Sequence, residues 1–231
     1  MPTALGIGLG IGYGDSSFSP SSISGLLLWL KADSLALSNG NSVTTWGDSS
    51  GNGHDMTFNV NAGNAGGTAV YNTNVLNGKP VVRLAGGGNF TNSLGDTISQ
   101  PITIFSVSTT KDGFYLFDGI NSTNRIVSYC VGNVHFFAGG DIDSGVASSN
   151  SFADFCFVSN TTSSAVYKNG TLAATGNIGT NSITGFTLNN RNERTETINN
   201  NEFAEFIVYL GALSDTDRIK VQNYISSKYG I

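Results

Sequence analysis

From Ile23 onward the chain is a succession of short apolar runs separated by clusters of Gly, Asn, Asp and Ser. Runs this short, rich in β-branched and aromatic residues and closed by turn formers, suit strands far better than helices. Strands are expected at 26–31, 43–46, 56–60, 80–84, 102–109, 114–117, 125–130, 134–138, 152–158, 165–168, 171–175, 183–188 and 203–210. Asn169-Gly170 separates V-Y-K from T-L-A-A. That pair suits a two-residue type I′ hairpin, because both central positions need positive φ. Many short strands joined by tight turns give an all-β, antiparallel β-sandwich.

One helix is expected, at the C-terminus. Ser214 is a good N-cap, and Asp215 and Asp217 sit in the first turn, at the positive end of the helix dipole. Val221, Tyr224, Ile225 and Tyr229 form an apolar stripe, and Gly230 suits the residue after the last turn. This helix is expected to cover one end of the sandwich.

Composition excludes several functions. Charged residues are 12% of the chain and the formal net charge is −5. The scattered Lys and Arg leave no basic footprint for nucleic acid. No run of 18 apolar residues exists, so membrane insertion by a helix is not expected. The N-terminus, M-P-T-A-L-G, lacks the positive region of a secretory signal, so synthesis in the cytoplasm without export by that route is expected. Cys130 and Cys156 both fall in alternating apolar runs. Buried reduced thiols are the expected state, and a disulfide between them stays open.

Residues 4–14 read A-L-G-I-G-L-G-I-G-Y-G. Leu5, Ile7, Leu9, Ile11 and Tyr13 alternate with glycine, so an extended strand has one apolar face and one bare backbone face. Burying four such side chains is worth roughly 6–10 kcal/mol. Ordering this glycine-rich stretch costs more than roughly 10 kcal/mol, so main-chain bonds to a partner edge are needed as well. Residues 1–22 are therefore read as a docking arm and linker, with Leu5, Ile7, Leu9, Ile11 and Tyr13 as the docking residues, and 23–231 as the folded domain.

Four stretches carry a family resemblance: I-S-G-L-L-L-W-L-K-A-D-S at 23–34, V-T-T-W-G-D-S-S-G-N-G-H-D at 43–55, K-P-V-V-R-L at 79–84, and the terminal strand and helix at 204–231. In that order and spacing the chain resembles the LamG-like jelly rolls of the concanavalin A-like lectin/glucanase superfamily. The resemblance implies two curved antiparallel sheets packed face to face. The family is found in phage virion proteins and bacterial surface proteins, and implies no single activity.

Trp29 and Trp46 read as core anchors. Asp48, Asn52 and Asp55 could ligate calcium, but they more readily bond local backbone, and the bidentate Glu of a strong site is absent. No cofactor and no metal are expected. The superfamily's glucanases resemble one another in an E-x-D-x-x-E strand, which this chain lacks. Its Glu residues are Glu193, Glu196, Glu202 and Glu205, and in a regular strand Glu202 and Glu205 point to opposite faces. Asp141 and Asp143 share a face but read as part of a loop. His54 lies in a turn and His135 on a strand, with no metal or nucleophile motif. The chain is therefore expected not to be an enzyme.

Two functions fit. One is a phage virion-surface protein, a capsid decoration or fibre module, docked through residues 4–14 onto other virion structural proteins, forming homo-oligomers and adhering to host surface glycans. The other is a free carbohydrate-binding module of a bacterial surface protein. Tyr71, Phe90, Tyr115 and Phe137 are the candidate sugar-facing aromatics.

Overall fold

The computed structural model of the protein describes residues 18–60, 66–193 and 200–231. Its strands are β1 (Leu26–Lys31), β2 (Thr45–Trp46), β3 (Met56–Asn59), β4 (Thr68–Leu76), β5 (Lys79–Ala85), β6 (Asn89–Thr91), β7 (Ile102–Thr110) and β8 (Tyr115–Asp118). There follow β9 (Val127–Val131), β10 (Asn133–Phe137), β11 (Asp141–Ala147), β12 (Ser149–Ser159), β13 (Ser164–Lys168), β14 (Thr171–Gly176), β15 (Thr187–Leu188) and β16 (Glu202–Leu210), then the helix α1 (Asp215–Tyr229). The first sheet runs β14-β13-β12-β7-β16-β5-β4, with β1 also on β16; the second runs β11-β10-β9-β8-β15-β6-β3-β2. All pairings are antiparallel, and the two sheets form a sandwich.

Local chemistry accounts for the turns and the helix ends. Asn169 and Gly170 have φ of 47° and 77°, and Lys168 pairs with Thr171, as a type I′ hairpin requires. Ser214 Oγ accepts the Asp217 N–H, and Gly230 ends the helix at φ 68° with its N–H on Ser226 O. The inter-sheet core is aromatic: Phe117 of the second sheet meets Phe157 and Phe206 of the first edge-on, at 5.4 and 5.6 Å between centroids.

The centre of the first sheet is buried on both sides. Its central strands β7 and β16 are covered almost throughout. Ile104, Phe206 and Val208 face the second sheet. Phe105, Val107, Ile207 and Tyr209 face outward, under Val221, Ile225 and Tyr229 of α1. The helix thus covers the outer face of this sheet, not one end of the sandwich as the sequence suggested. A strand apolar on both faces needs two covers, and the second sheet supplies only one.

Beneath the helix lies a charged hub. Glu205 is 0% exposed. Its Oε1 accepts Trp29 Nε1–H at 2.5 Å and Tyr224 O–H at 3.0 Å; its Oε2 accepts Tyr229 O–H at 2.7 Å and Lys228 Nζ–H at 2.9 Å. Lys228 also reaches Asp33 at 3.1 Å. Burial, and then the Glu205 charge, push the Tyr224 and Tyr229 hydroxyls well above their ordinary range, so both remain donors. One carboxylate therefore links β16, β1 and α1.

This hub corrects the expectation for Glu202 and Glu205. A bulge between Phe203 and Glu205 inserts Ala204 into β16. Phe203 faces the inter-sheet core, while both glutamates lie on the outer face: Glu202 opposite Arg83, and Glu205 under α1. Their partners are structural. Replacing Glu205 by Ala removes the acceptor of the Trp29 N–H and the Tyr224 O–H, leaves the Tyr229 O–H only a longer bond to Ala204 O, and leaves the buried Lys228 with Asp33 as its carboxylate partner. Urea unfolding of Glu205→Ala is expected to show a loss of about 3–5 kcal/mol; a loss below about 1 kcal/mol would remove the hub from its structural role.

Candidate functional site

Because α1 occupies the outer face of the first sheet, the open face is the outer side of the second. Alternation turns Val134, Phe136, Cys130 and Phe90 into the core, and therefore turns Tyr115, Tyr129, His135, Asp143, Thr57, Thr91 and Thr187 outward. Tyr115, Tyr129, His135 and Asp143 are successive cross-strand partners on β8, β9, β10 and β11. Tyr129 and His135 stack at 4.8 Å with planes 11° apart, and Tyr115 lies 6.0 Å from Tyr129, tilted by 37°. All three rings are half-buried, so they form a row with an open side.

A carboxylate fixes this row. Asp141 Oδ1 accepts the Tyr129 O–H at 3.1 Å, and its Oδ2 lies 2.9 Å from His135 Nδ1. Burial, and then Asp141, push the Tyr129 hydroxyl up to about 12, so it stays a donor. Asp143 takes Asn133 Nδ2–H and the Gly145 N–H; these two bonds hold its carboxyl below the usual range.

At mid-face stands the buried Asp118. It binds Arg125 through two bonds, of 2.6 and 3.0 Å, and accepts the N–H groups of Gly119 and Asn192. Burial pushes its carboxyl up, against the pull of Arg125 and the two N–H groups. Asp118 thereby ties the 119–125 loop and the 189–193 segment to the sheet. Between those loops and strands β3, β6 and β15 opens a cleft of about 430 Å³. It is lined by Thr57, Asn59, Thr91, Asn92, Thr187 and Asn192, together with Asp55, Ser93 and Ile120.

The residues singled out in the sequence divide accordingly. Tyr115 and Phe137 are on the open face, whereas Tyr71 and Phe90 are core residues. Trp46 lies in the inter-sheet core and Trp29 under the helix. Asp141 and Asp143 share a face as expected, but on the edge strand β11, not in a loop. Cys130 and Cys156 are free, in cores on opposite sides of the first sheet. Burial pushes Cys130 up to about 12 and Cys156 well above its ordinary value, so neither is a reactive thiolate. Leu5, Ile7, Leu9, Ile11 and Tyr13 lie outside the described residues. The sequence reading missed Tyr129, the Asp118–Arg125 pair and Asn192. Tyr129 sits at an outward position of its alternating run, but the ring it stacks on belongs to another strand.

The 48–55 loop is a backbone-capping device. Asp48 accepts the N–H groups of Trp29, Ser50 and His54 and the Ser50 O–H, while Asp55 accepts the Asp48 N–H. Asn52 Nδ2 donates to Leu26 O and Leu27 O. Among the described residues, no group of three or more His, Cys, Asp or Glu is placed to hold a metal.

No family model and no curated protein matches the sequence. Solved structures share the fold. Domain 4 of AbnA, an extracellular GH43 arabinanase from Geobacillus stearothermophilus in complex with arabinotriose, superposes at a TM-score of 0.63 with 17% identity, covering 86% of this chain and 98% of that domain. A GH54 α-L-arabinofuranosidase gives 0.64 at 15% identity, covering 90% of this chain and 60% of the other. The binding domain of botulinum neurotoxin serotype G gives 0.61 at 14% identity, with 87% and 51% covered. The chain thus spans nearly all of the arabinanase domain but only half to three-fifths of the other two. At these identities the likeness establishes the β-sandwich fold.

Burial raises the Asp48 carboxyl, but the bonds from Ser50, Trp29 and His54 outweigh it and hold the group below 3.8. Its contribution is therefore present above that unfolded value and is lost as the pH falls through the lowered folded one. Asp48→Ala is expected to cost about 2–3 kcal/mol, equally in calcium and in EDTA. A calcium-dependent rise in Tm that disappears in Asp48→Ala would instead make the loop a metal site.

Proposed function

We propose that the protein is a non-catalytic carbohydrate-binding module that takes its glycan on the outer face of the second sheet. The observation that carries this reading is the row Tyr115–Tyr129–His135 with the Asp141 carboxylate beside it. The C–H faces of a sugar ring pack on flat, polarizable rings, while its hydroxyls bond to adjacent carboxylates. The sandwich fold shared with an arabinanase domain solved with arabinotriose supports the same reading and makes arabinotriose the first probe.

Binding of arabinotriose and of a glycan array by the full chain tests it. Tyr129→Ala is expected to weaken binding at least about ten-fold, equivalent to ~1.4 kcal/mol, with the β spectrum unchanged and no reducing sugar released by any variant. Equal binding by Tyr129→Ala, or release of reducing sugar, would overturn the reading.

A second reading concerns placement: a LamG-like module displayed on a phage virion through residues 4–14. It rests on the glycine alternation and on the position of the chain after the arm. Phe18 packs on Tyr224 at 6.3 Å, and the Tyr209 O–H donates to Pro20 O. The arm therefore joins the domain on the helix side, away from the aromatic row, an arrangement suited to anchoring one side and presenting the other. Deleting residues 1–14 is expected to leave the sandwich folded and abolish incorporation into particles; normal incorporation would refute docking through the arm.

A further inference from the structure

The polar cleft beside the aromatic row has no part in the row's stacking. It lies on β3, β6 and β15, and β6 is three strand steps from β9 across the sheet. At about 4.8 Å a step, that places it at least about 14 Å from Tyr129. Its volume of about 430 Å³ is in the range of small-ligand sites.

Its lining is rich in acceptors and poor in charge. Asn192 is 8% exposed, and its Oδ1 has no hydrogen-bond partner among the described residues. A buried amide oxygen without a donor is unfavourable, and turning the Asn192 amide toward the cleft would let a ligand hydroxyl satisfy it. Asp55 commits one oxygen to the Asp48 N–H. Thr91 Oγ1 accepts Asn59 Nδ2–H, which leaves its own proton to give. Asn92 is spent internally, on His54 O and the Phe186 N–H. Ile120 supplies an apolar wall. The Thr187 hydroxyl is spent on Gly119 O. Among the described residues of the lining, Asp55 is the only ionisable one. A carboxylate ligand would therefore meet like charge, whereas a neutral ring bearing several hydroxyls meets acceptors, the Thr57 and Thr91 hydroxyls and one apolar contact.

We propose that this cleft is a second subsite, taking one uncharged, hydroxyl-rich ring of the glycan whose other ring lies on the Tyr129 row. The pairing of the two rests on the proposed function, while the cleft stands on its own lining. Two subsites on one face select for extended chains, because the second contact becomes intramolecular once the first is made.

The test is titration of the isotope-labelled full chain with L-arabinose, D-xylose, D-galactose and D-glucose, and with D-galacturonate and N-acetylneuraminate as anionic counterparts, followed by amide spectra. At least one neutral sugar is expected to shift Thr57, Thr91 and Asn192 saturably, and the anionic sugars to bind at least ten-fold more weakly. Thr57→Val keeps the β-branched shape and removes one hydroxyl, so it should weaken cleft binding three- to ten-fold. Tyr129→Ala should leave the cleft shifts unchanged. Absence of any shift in the cleft, equal response to the anionic sugars, or no effect of Thr57→Val would overturn the proposal. Shifts confined to Tyr115, Tyr129 and His135 would refute the cleft and spare the aromatic row; shifts confined to the cleft would do the reverse.

Discussion

The buried Glu205 carboxylate is the contact on which the rest of the architecture depends. An ionised group out of water is tolerable only when every lone pair is engaged and a countercharge is near. Here Trp29, Tyr224, Tyr229 and Lys228 meet those needs, and they come from β1 and α1. The carboxylate therefore specifies where the helix sits, not merely that it packs. The apolar contacts of Val221 and Ile225 could be made at neighbouring registers; the four bonds to Glu205 could not. A second polar feature lies in the same interface. Asp154 on β12 is pushed up to about 7, chiefly by burial and further by Glu205, against the pull of Gln222 and Arg218.

Fixing the helix on the first sheet has a functional consequence. A sandwich has two outer faces, and the helix closes one of them. The other keeps half-buried rings and threonines at outward positions, organised by the Asp118–Arg125 pair and the loops it holds. Phe18 and Pro20 also pack on the closed face, beside the helix. One face is closed by the helix, and the opposite face presents the row and the cleft proposed as binding sites. The likeness to an arabinanase domain and to a toxin binding domain is a likeness of scaffold; the row and the cleft are this chain's own residues.

Legibility followed the range of the interactions. The Asn169-Gly170 hairpin, the Ser214 cap and the Gly230 stop were readable because each depends on a few adjacent residues. The apolar strands β7, β12 and β16 were readable from composition. Strands β4, β6 and β11 were not: T-A-V-Y-N-T-N-V-L, N-F-T and D-I-D-S-G-V-A are polar or broken by glycine, and pairing with a neighbour is what makes them strands. The Ala204 bulge escaped for the same reason. One extra residue in β16 reverses the face of everything before it, and only the register against β7 records it.

The sequence by itself determined the class of fold, the terminal helix with both its caps and the hairpin turn. These follow from alternation and local capping, which are properties of neighbouring residues. Only the tertiary structure decided which face is open, that Tyr115, Tyr129 and His135 form one row, and that Asn192 is brought to a cleft with Thr57 and Thr91. Those residues are far apart in the chain, and what joins them is strand order and register, quantities set by the packing of the whole sandwich.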